Sequence, residues 1–564
     1  MKPSAGACSA GLAVCLAGCS LPGTTYAQPP PAPRNAQSGG TITVGITPPG
    51  GIDPLDAYEP SGKLVAGLLC DTLVSIDPVT GDPVPGLVTS WQVSQNTVTL
   101  RLRHGVLMSN GHVLDARDVV QSLIELANPA TASREAALMS EVQGYASLSQ
   151  NLFAGTDAKL VGGPIVIDPF DLEIPLSTKD PGFIDALAEE ATAPFLESAW
   201  QQDPGAFASD PICAGPYTLA RPYHPGDNEI LLNRSAHYYG KNVGFTGGGR
   251  GYADHILFRI YPTPEAAEAA FRAGQLDIAA VPAGAVPGRL SSGASLVAGP
   301  NATEEFIGIP DGLENQLNDP GIRRALSEAL DRRAVIAAAW PGSALPALGF
   351  LPPDLSWATI SDQCPALARA TGNVAVARAS LSAEQLTALS RLSMPLYVDK
   401  GTGNVAEALE IARQWLSDFG LHLTVQPMSW PDYLAKAMVG AGFDGPFRIS
   451  WSADSSSPEP TDADPARFLE PLFGSSETTV ANWAHYADSR LDVTLTDEAT
   501  PASLGLTRSQ EFSTVSQYLC QQSPMIPVAW GESRWLVRSS RVATARSSYL
   551  STTGLPQLRE VYLR

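Results

Sequence analysis

The sequence predicts an α/β protein of two or three lobes, on three observations. At 564 residues the chain exceeds what a single hydrophobic core holds together. Two separate stretches, His255–Ile278 and Pro395–Val425, each read as strand, helix and returning strand, which favours parallel pairing through a right-handed crossover. The 48 prolines and 50 glycines fit a turn-rich chain better than a helical bundle, and a 44% apolar fraction is ordinary for globular cores.

At the N-terminus, one positive charge at Lys2 precedes a short apolar stretch, Ala10–Ala17, too short to span a bilayer as a helix. It ends in Leu16-Ala17-Gly18-Cys19, which resembles a bacterial lipobox. The expectation is a signal peptide over 1–18, cleavage before Cys19 and acylation of its thiol. Residues 19–40, with Gln28-Pro29-Pro30-Pro31-Ala32-Pro33, then read as a semi-extended tether to the outer face of the membrane. Four further cysteines, Cys70, Cys213, Cys364 and Cys520, allow three full pairings. Free buried thiols and a bridge both stay open.

Thr41–Ile46 alternates apolar and polar residues and predicts the first strand; Tyr58–Leu69 predicts a helix. Val98, Leu100 and Leu102 alternate with Thr99, Arg101 and Arg103, the period of a strand with one buried face. Asn110-Gly111 marks a turn, and Asp115 caps a helix carrying Val119, Val120, Leu123 and Ile124. The order of these parts, with Pro85, Trp91, Leu102, Arg103, Gly105, Ser109, Asn110 and Gly111 at fixed spacing, resembles the peptide/nickel class (family 5) of extracytoplasmic solute-binding proteins of ATP-driven (ABC) importers. Met108 departs from the aromatic residue usual in that class. Two further stretches carry the resemblance. One is Gly215-Pro216-Tyr217 with the hairpin to Asn233-Arg234 and then Tyr238-Tyr239-Gly240. The other runs from His255 to Ile278, with Ala266, Ala269, Ala270 and Phe271 expected inward and Gly274 as cap.

The resemblance implies a periplasmic-binding-protein-like, two-lobed fold (type II, cluster C) with an extra scaffold subdomain. Residues 41–60, 208–306 and 525–564 are expected to form lobe I, 61–207 the scaffold, and 307–524 lobe II. Within the scaffold, Val166–Asp168 and Asp171–Leu176 predict a hairpin and Pro181–Ala191 a helix. In lobe II, Asp319–Trp340 predicts a helix and turn with Arg323-Arg324 outside, and Asn404–Phe419 a helix with Leu409, Ala412, Trp415 and Leu416 inward. Glu304–Ile309 and the strands after Pro527 would be the entry to and exit from lobe II, a plausible hinge.

The ligand-facing stretch is Phe447-Arg448-Ile449-Ser450-Trp451-Ser452-Ala453-Asp454. In peptide-binding members of the resembled family, a Trp-x-x-Asp sets its carboxylate against the ligand's α-amino group. Asp454 falls there, with Trp451 lining the cleft and Ser452 beside it. Arg448 matches a position that helps hold a ligand carboxylate, and Gly51 lies where the chain first borders the cleft. An enclosed zwitterion needs both charges paired. Here Asp454 is followed by Ser-Ser-Ser-Pro-Glu-Pro-Thr-Asp462-Ala-Asp464-Pro465, an apparent insertion that puts Asp462 and Asp464 in competition for the anchor.

The expected function is therefore a lipid-anchored monomeric receptor on the extracytoplasmic face of the cell membrane. It would bind short peptides by lobe closure and deliver them to a membrane permease. The alternatives are a non-transport envelope lipoprotein that keeps the fold as an interaction module, as in some actinobacterial relatives, or a non-peptide ligand such as a metal chelate or haem. Net charge is −21, and −22 without residues 1–18, which argues against nucleic acid as a partner. The seven histidines show no HxxxH or HExxH spacing; no Gly-x-Ser-x-Gly, phosphate loop or paired catalytic carboxylates appear. No cofactor and no enzymatic activity are expected.

Overall fold

The structure is a computed structural model. It describes residues 39–564 except 58, 77–82, 134, 151–157, 178–182, 242–250, 283–289, 312, 314–315, 353–363, 365–366, 368, 402, 439–441, 453–464, 476–481, 496–507, 545–549 and 551–553. Cys19, the leader and tether, and Asp454, Asp462 and Asp464 lie outside the described residues.

An 11-stranded sheet runs through the molecule. In chain order its strands are β1 (Thr41–Ile46), β2 (Tyr217–Leu219), β3 (Glu229–Arg234), β4 (His255–Ile260), β5 (Ile278–Ala280), β6 (Ser295–Gly308), β7 (Ala344–Pro346), β8 (Ser393–Asp399), β9 (His422–Met428), β10 (Phe447–Ser452) and β11 (Met525–Val537). Across the sheet they lie β9-β8-β10-β6-β11-β5-β1-β4-β3-β2, with β7 on β11. The two strand–helix–strand stretches behave as their patterns predict. β1 pairs in parallel with both β4 and β5, and β8 in parallel with β9. A smaller sheet of Val88–Ser94, Thr97–Leu102, Asp171–Pro175 and Ile165–Val166 packs in the N-terminal half, with Val98, Leu100 and Leu102 fully buried. Asp115 caps the helix Ala116–Ala127 in a capping box with Asp118.

The buried apolar residues divide cleanly. One cluster takes its members from Ile42–Ile278 and Trp535–Val561; two others draw only on Phe306–Ala529. Only β6 and β11 carry the chain between these halves. They pair antiparallel along their length, Ser295–Pro300 against Val537–Glu532 and Glu304–Gly308 against Trp530–Met525. The ladder slips between Pro300 and Glu304 and again between Glu305 and Phe306. Extra residues on one strand interrupt pairing and bend it locally. Gly531 sits at the first slip, where a Cβ would lie 2.2 Å from Asn301 Oδ1. The fold is thus two packed halves joined through an interrupted two-strand ladder.

Several expectations are corrected. Leu409 and Leu416 are 55% and 47% exposed; the helix Asn404–Phe419 buries Ala408, Ile411, Ala412, Trp415 and Phe419 instead. Small residues let it approach the helix Arg332–Ala339, which turns the buried stripe one residue round from the bulkier leucines. Arg323 is buried, because its guanidinium reaches the carbonyls of Leu317 (3.2 Å), Asn318 (3.0 Å) and Gln522 (2.9 Å); only Arg324 is exposed. The helix expected over 181–191 is reduced to Phe183–Ala186, followed by a single turn at Glu190–Thr192. In Pro264–Arg272 it is Ala267, Ala270 and Phe271 that are buried, while Ala269 is exposed.

The cysteine question left open by the sequence resolves into two bridges, Cys70–Cys213 and Cys364–Cys520. The first lies in the N-terminal core and the second in one of the cores of the other half. Each closes a loop of more than a hundred residues, 143 and 156 apart in sequence, so each is expected to contribute about 2–5 kcal/mol. Peptide mapping without reductant should recover these two pairs and no crossed ones. Replacing either pair by serines should lower the unfolding midpoint, while recovery of free thiols would contradict the assignment.

Candidate functional site between the two halves

A cavity of about 440 Å3 opens at the slipped register, between the two halves. Its N-terminal-half wall comes from the end of β1 and the loop after it (Gly45–Thr47), the first turn of the helix Pro60–Leu69, and Ala267. Asn301, Thr303 and Glu305 of β6 and Gly531–Trp535 of β11 form the floor, and Trp340, Ser343 and Ala344 the opposite wall. Mostly apolar walls with a few placed polar groups are the usual make-up of a small-ligand site. Three charged residues line it: Glu305, Glu532 and Arg534. Glu532 and Arg534 face each other at 3.9 Å.

Strand periodicity sorts the residues of β10. Side chains two apart share a face, so Arg448 and Ser450 point one way and Ile449 and Trp451 the other. Ile449 and Trp451 enter a hydrophobic core, and the buried Trp451 Nε1 has no hydrogen-bond partner. Arg448 is 7% exposed and meets three carboxylates. Its Nε donates to Glu407 Oε2 at 2.9 Å, Nη1 to Asp399 Oδ1 at 3.1 Å, and Nη2 to Glu305 Oε2. Ser450 Oγ donates to the other Glu305 oxygen at 3.0 Å. The ring of Trp340, a residue of the cavity wall, has the Arg448 guanidinium 6.0 Å from its centroid. Arg448 itself is not among the cavity-lining residues, and neither are Trp451 and Gly51.

The charges in this cluster do not balance. Burial pushes the Glu407 carboxyl up to about 8, against the pull of Arg448, so it is protonated at neutral pH. Burial also raises Glu305. For Arg448, burial works against the charged form, but Glu305, Glu407 and Asp399 outweigh it and hold the guanidinium above its usual range. Three carboxyl groups, those of Glu305, Asp399 and Glu407, face one guanidinium.

Beyond the cavity lining, the loop after β1 carries Gly51 and Asp53. A Cβ at Gly51 would lie 2.6 Å from Asp56 Oδ2, so a side chain there would displace the loop. Asp53 accepts from Leu55 N at 2.9 Å, and burial raises its pKa to about 6. On β6, Glu304 is fully buried, and burial pushes its pKa well up against the pull of Trp530 and Arg332. Among the described residues no group of acidic, histidine or cysteine side chains is placed to hold a metal ion, and no helix is long and apolar enough to cross a membrane.

Sequence reasoning singled out Arg448 and Trp451 but missed Glu305, Asn301, Trp340 and Arg534. A signal existed for the first of these. In Glu304-Glu305-Phe306-Ile307, successive strand residues point to opposite faces, so a strand crossing the interior had to bring at least one carboxylate into the protein.

Comparison with known proteins adds to this geometry. The sequence profile of the bacterial extracellular solute-binding proteins, family 5 (middle region), matches residues 82–477. The chain belongs to this family. It is a family of solute-binding proteins and not of enzymes. A probable di/tripeptide-binding protein 5 of Pseudomonas aeruginosa is 25% identical over 483 residues, covering 82% of this chain and 85% of its own. The periplasmic oligopeptide-binding protein OppA of Salmonella typhimurium is 23% identical over 491 residues, covering 85% and 83%. Among solved structures, the unliganded open form of the periplasmic murein tripeptide-binding protein MppA superposes with a TM-score of 0.75. It is 20% identical and covers 94% of this chain and 99% of its own. The fold is therefore the two-lobed α/β fold of this family, and the cavity lies between its lobes.

Two measurements test the electrostatics. Arg448→Ala leaves buried carboxylates uncompensated and should cost roughly 3–5 kcal/mol in urea unfolding. A shift below about 1 kcal/mol would show that the cluster is not closed as described. Asp53, raised above its unfolded value, contributes stability that is full below about pH 4 and lost as pH rises through about 6. Asp53→Asn should therefore gain about 2 kcal/mol on the native protein between pH 4.5 and 7; equal pH profiles would contradict this.

Proposed function

We propose that this protein is the lipid-anchored receptor of an ATP-driven importer and that it encloses a short peptide between its lobes. The observation that carries the reading is the cavity itself. It sits where the two cores meet, over the only two strands that join them, in a chain whose relatives include a di/tripeptide-binding and an oligopeptide-binding protein. In this reading residues 307–524 are the lobe that moves, and residues 41–60, 208–306 and 525–564, with the scaffold 61–207, are the lobe it closes against. Closure removes water from the ligand and strengthens each ionic contact made to it.

The anchor for the peptide's α-amino group is Asp454, two residues beyond the end of β10, with Ser452 and Trp451 leading to it and Gly51 at the cleft border. The structure bears on the other end of the ligand. Arg448, the first choice for the carboxylate, is already surrounded by three carboxylates, so its charge is largely spent within the wall. Arg534 is the guanidinium among the described residues lining the cavity, and a ligand carboxylate there would share it with Glu532, 3.9 Å away. Cys19 carries the acyl anchor that keeps the receptor beside its permease.

Calorimetric titration with a mixed di- to pentapeptide library should show saturable binding at micromolar or lower concentration, with Asp454→Asn weakening it at least 30-fold, as loss of a buried charge partner does. No heat from any peptide at millimolar concentration would overturn the reading. Cys19→Ser should move the protein from the membrane to the soluble fraction and abolish the acyl mass; retention on the membrane would refute the anchor.

A further inference from the structure

The peptide reading leaves open which peptides, and the charges of the cavity wall bear on that. Glu532 and Arg534, 3.9 Å apart, offset one another. Arg448 is not among the cavity-lining residues, and its Nη2 holds Glu305. What remains on the wall is the Glu305 carboxylate, 14% exposed at its side chain, belonging to a cluster that carries more negative than positive charge. Each of its oxygens accepts a single hydrogen bond, one from Arg448 and one from Ser450, and a carboxylate oxygen has room for a second donor. A second, independent feature lies four residues earlier on the same strand. Asn301 Oδ1 is buried beside the cavity and accepts no hydrogen bond. Buried acceptors are normally satisfied, and one left open on a cavity wall asks for a donor from the ligand.

We propose, resting on the peptide reading above, that Glu305 forms a subsite for a cationic side chain, with Asn301 accepting a further N–H of the same peptide, so that the receptor selects peptides carrying lysine or arginine. Both groups are acceptors: a backbone N–H of any peptide can serve Asn301, while the charged Glu305 favours a cationic donor over a neutral one. A cationic group adds positive charge where three carboxyl groups share one guanidinium, whereas an acidic side chain in the same place adds a further carboxylate to them. Selectivity then comes from attraction to one class together with rejection of the other.

The test is calorimetry on the native protein, dialysed free of co-purified peptide, with trialanine, the three tripeptides that place lysine at each position in turn, and the three that place glutamate there. At least one lysine peptide should bind tenfold or more tightly than trialanine, and the glutamate peptide of the same position more weakly than trialanine. The preference should shrink between 20 and 500 mM salt. Glu305→Gln should bring the preferred lysine peptide within about threefold of trialanine. Because Glu305→Gln also touches Arg448, its melting curve is recorded, and the unmodified protein's ranking decides the matter alone if the variant is unfolded. Glutamate peptides binding as well as lysine peptides, or a full lysine preference surviving in folded Glu305→Gln, would overturn the subsite and leave the peptide reading standing. Failure of all seven peptides to bind would overturn both.

Discussion

Everything in this molecule depends on one pair of antiparallel strands. β6 and β11 are the only elements that run from one set of cores into the other, and their ladder is continuous enough to hold both halves in one sheet. Yet the ladder slips twice within a few residues, at the level of the cavity. An interrupted ladder has fewer backbone bonds to break when the strands twist, so in the proposed closure bending would concentrate there and the packed cores on either side would move as rigid bodies. The fold places its ligand space beside its softest joint.

The electrostatics follow from the same constraint. Strands that cross an interior are covered on both faces, and β6 carries consecutive glutamates through it. Glu304 is shut among apolar neighbours and Arg332, whose own charge is held by Ser327 and Pro527 carbonyls. Glu305 emerges on the other face and is met by Arg448. The arginine is therefore part of the architecture of the wall: it opposes the upward push of burial on the Glu305 carboxyl, and it draws on Asp399 and Glu407 to be held in place. A site built this way is organised before any ligand arrives, which lowers the cost of binding.

The fold was largely legible in the sequence, because period-2 alternation, capping residues and Pro/Gly punctuation are local signals. β1, β8, β9 and the helices at 116–127 and 404–419 lie where those signals put them. What was not legible was set by partners far away in the chain. Leu409 and Leu416 satisfy a helical stripe as well as the residues that are buried, and only the neighbouring helix decides between two overlapping faces. Arg323 reads as surface until the carbonyl of Gln522, 199 residues on, arrives to accept from it. The site was half legible for the same reason. Arg448 was found by its motif, but its counter-charges come from positions 143, 49 and 41 residues distant, and no local pattern announces that they converge. Asp454 lies outside the described residues, so its part rests on the resemblance alone.

The placement of the two cystine bridges has a consequence of its own. One ties together segments within the N-terminal core and the other segments within the opposite half; neither spans the gap. Covalent reinforcement would therefore lengthen the working life of each jaw against heat and proteolysis without restricting the proposed closure. Durability and motion are governed by different bonds, and selection can adjust one while leaving the other as it is.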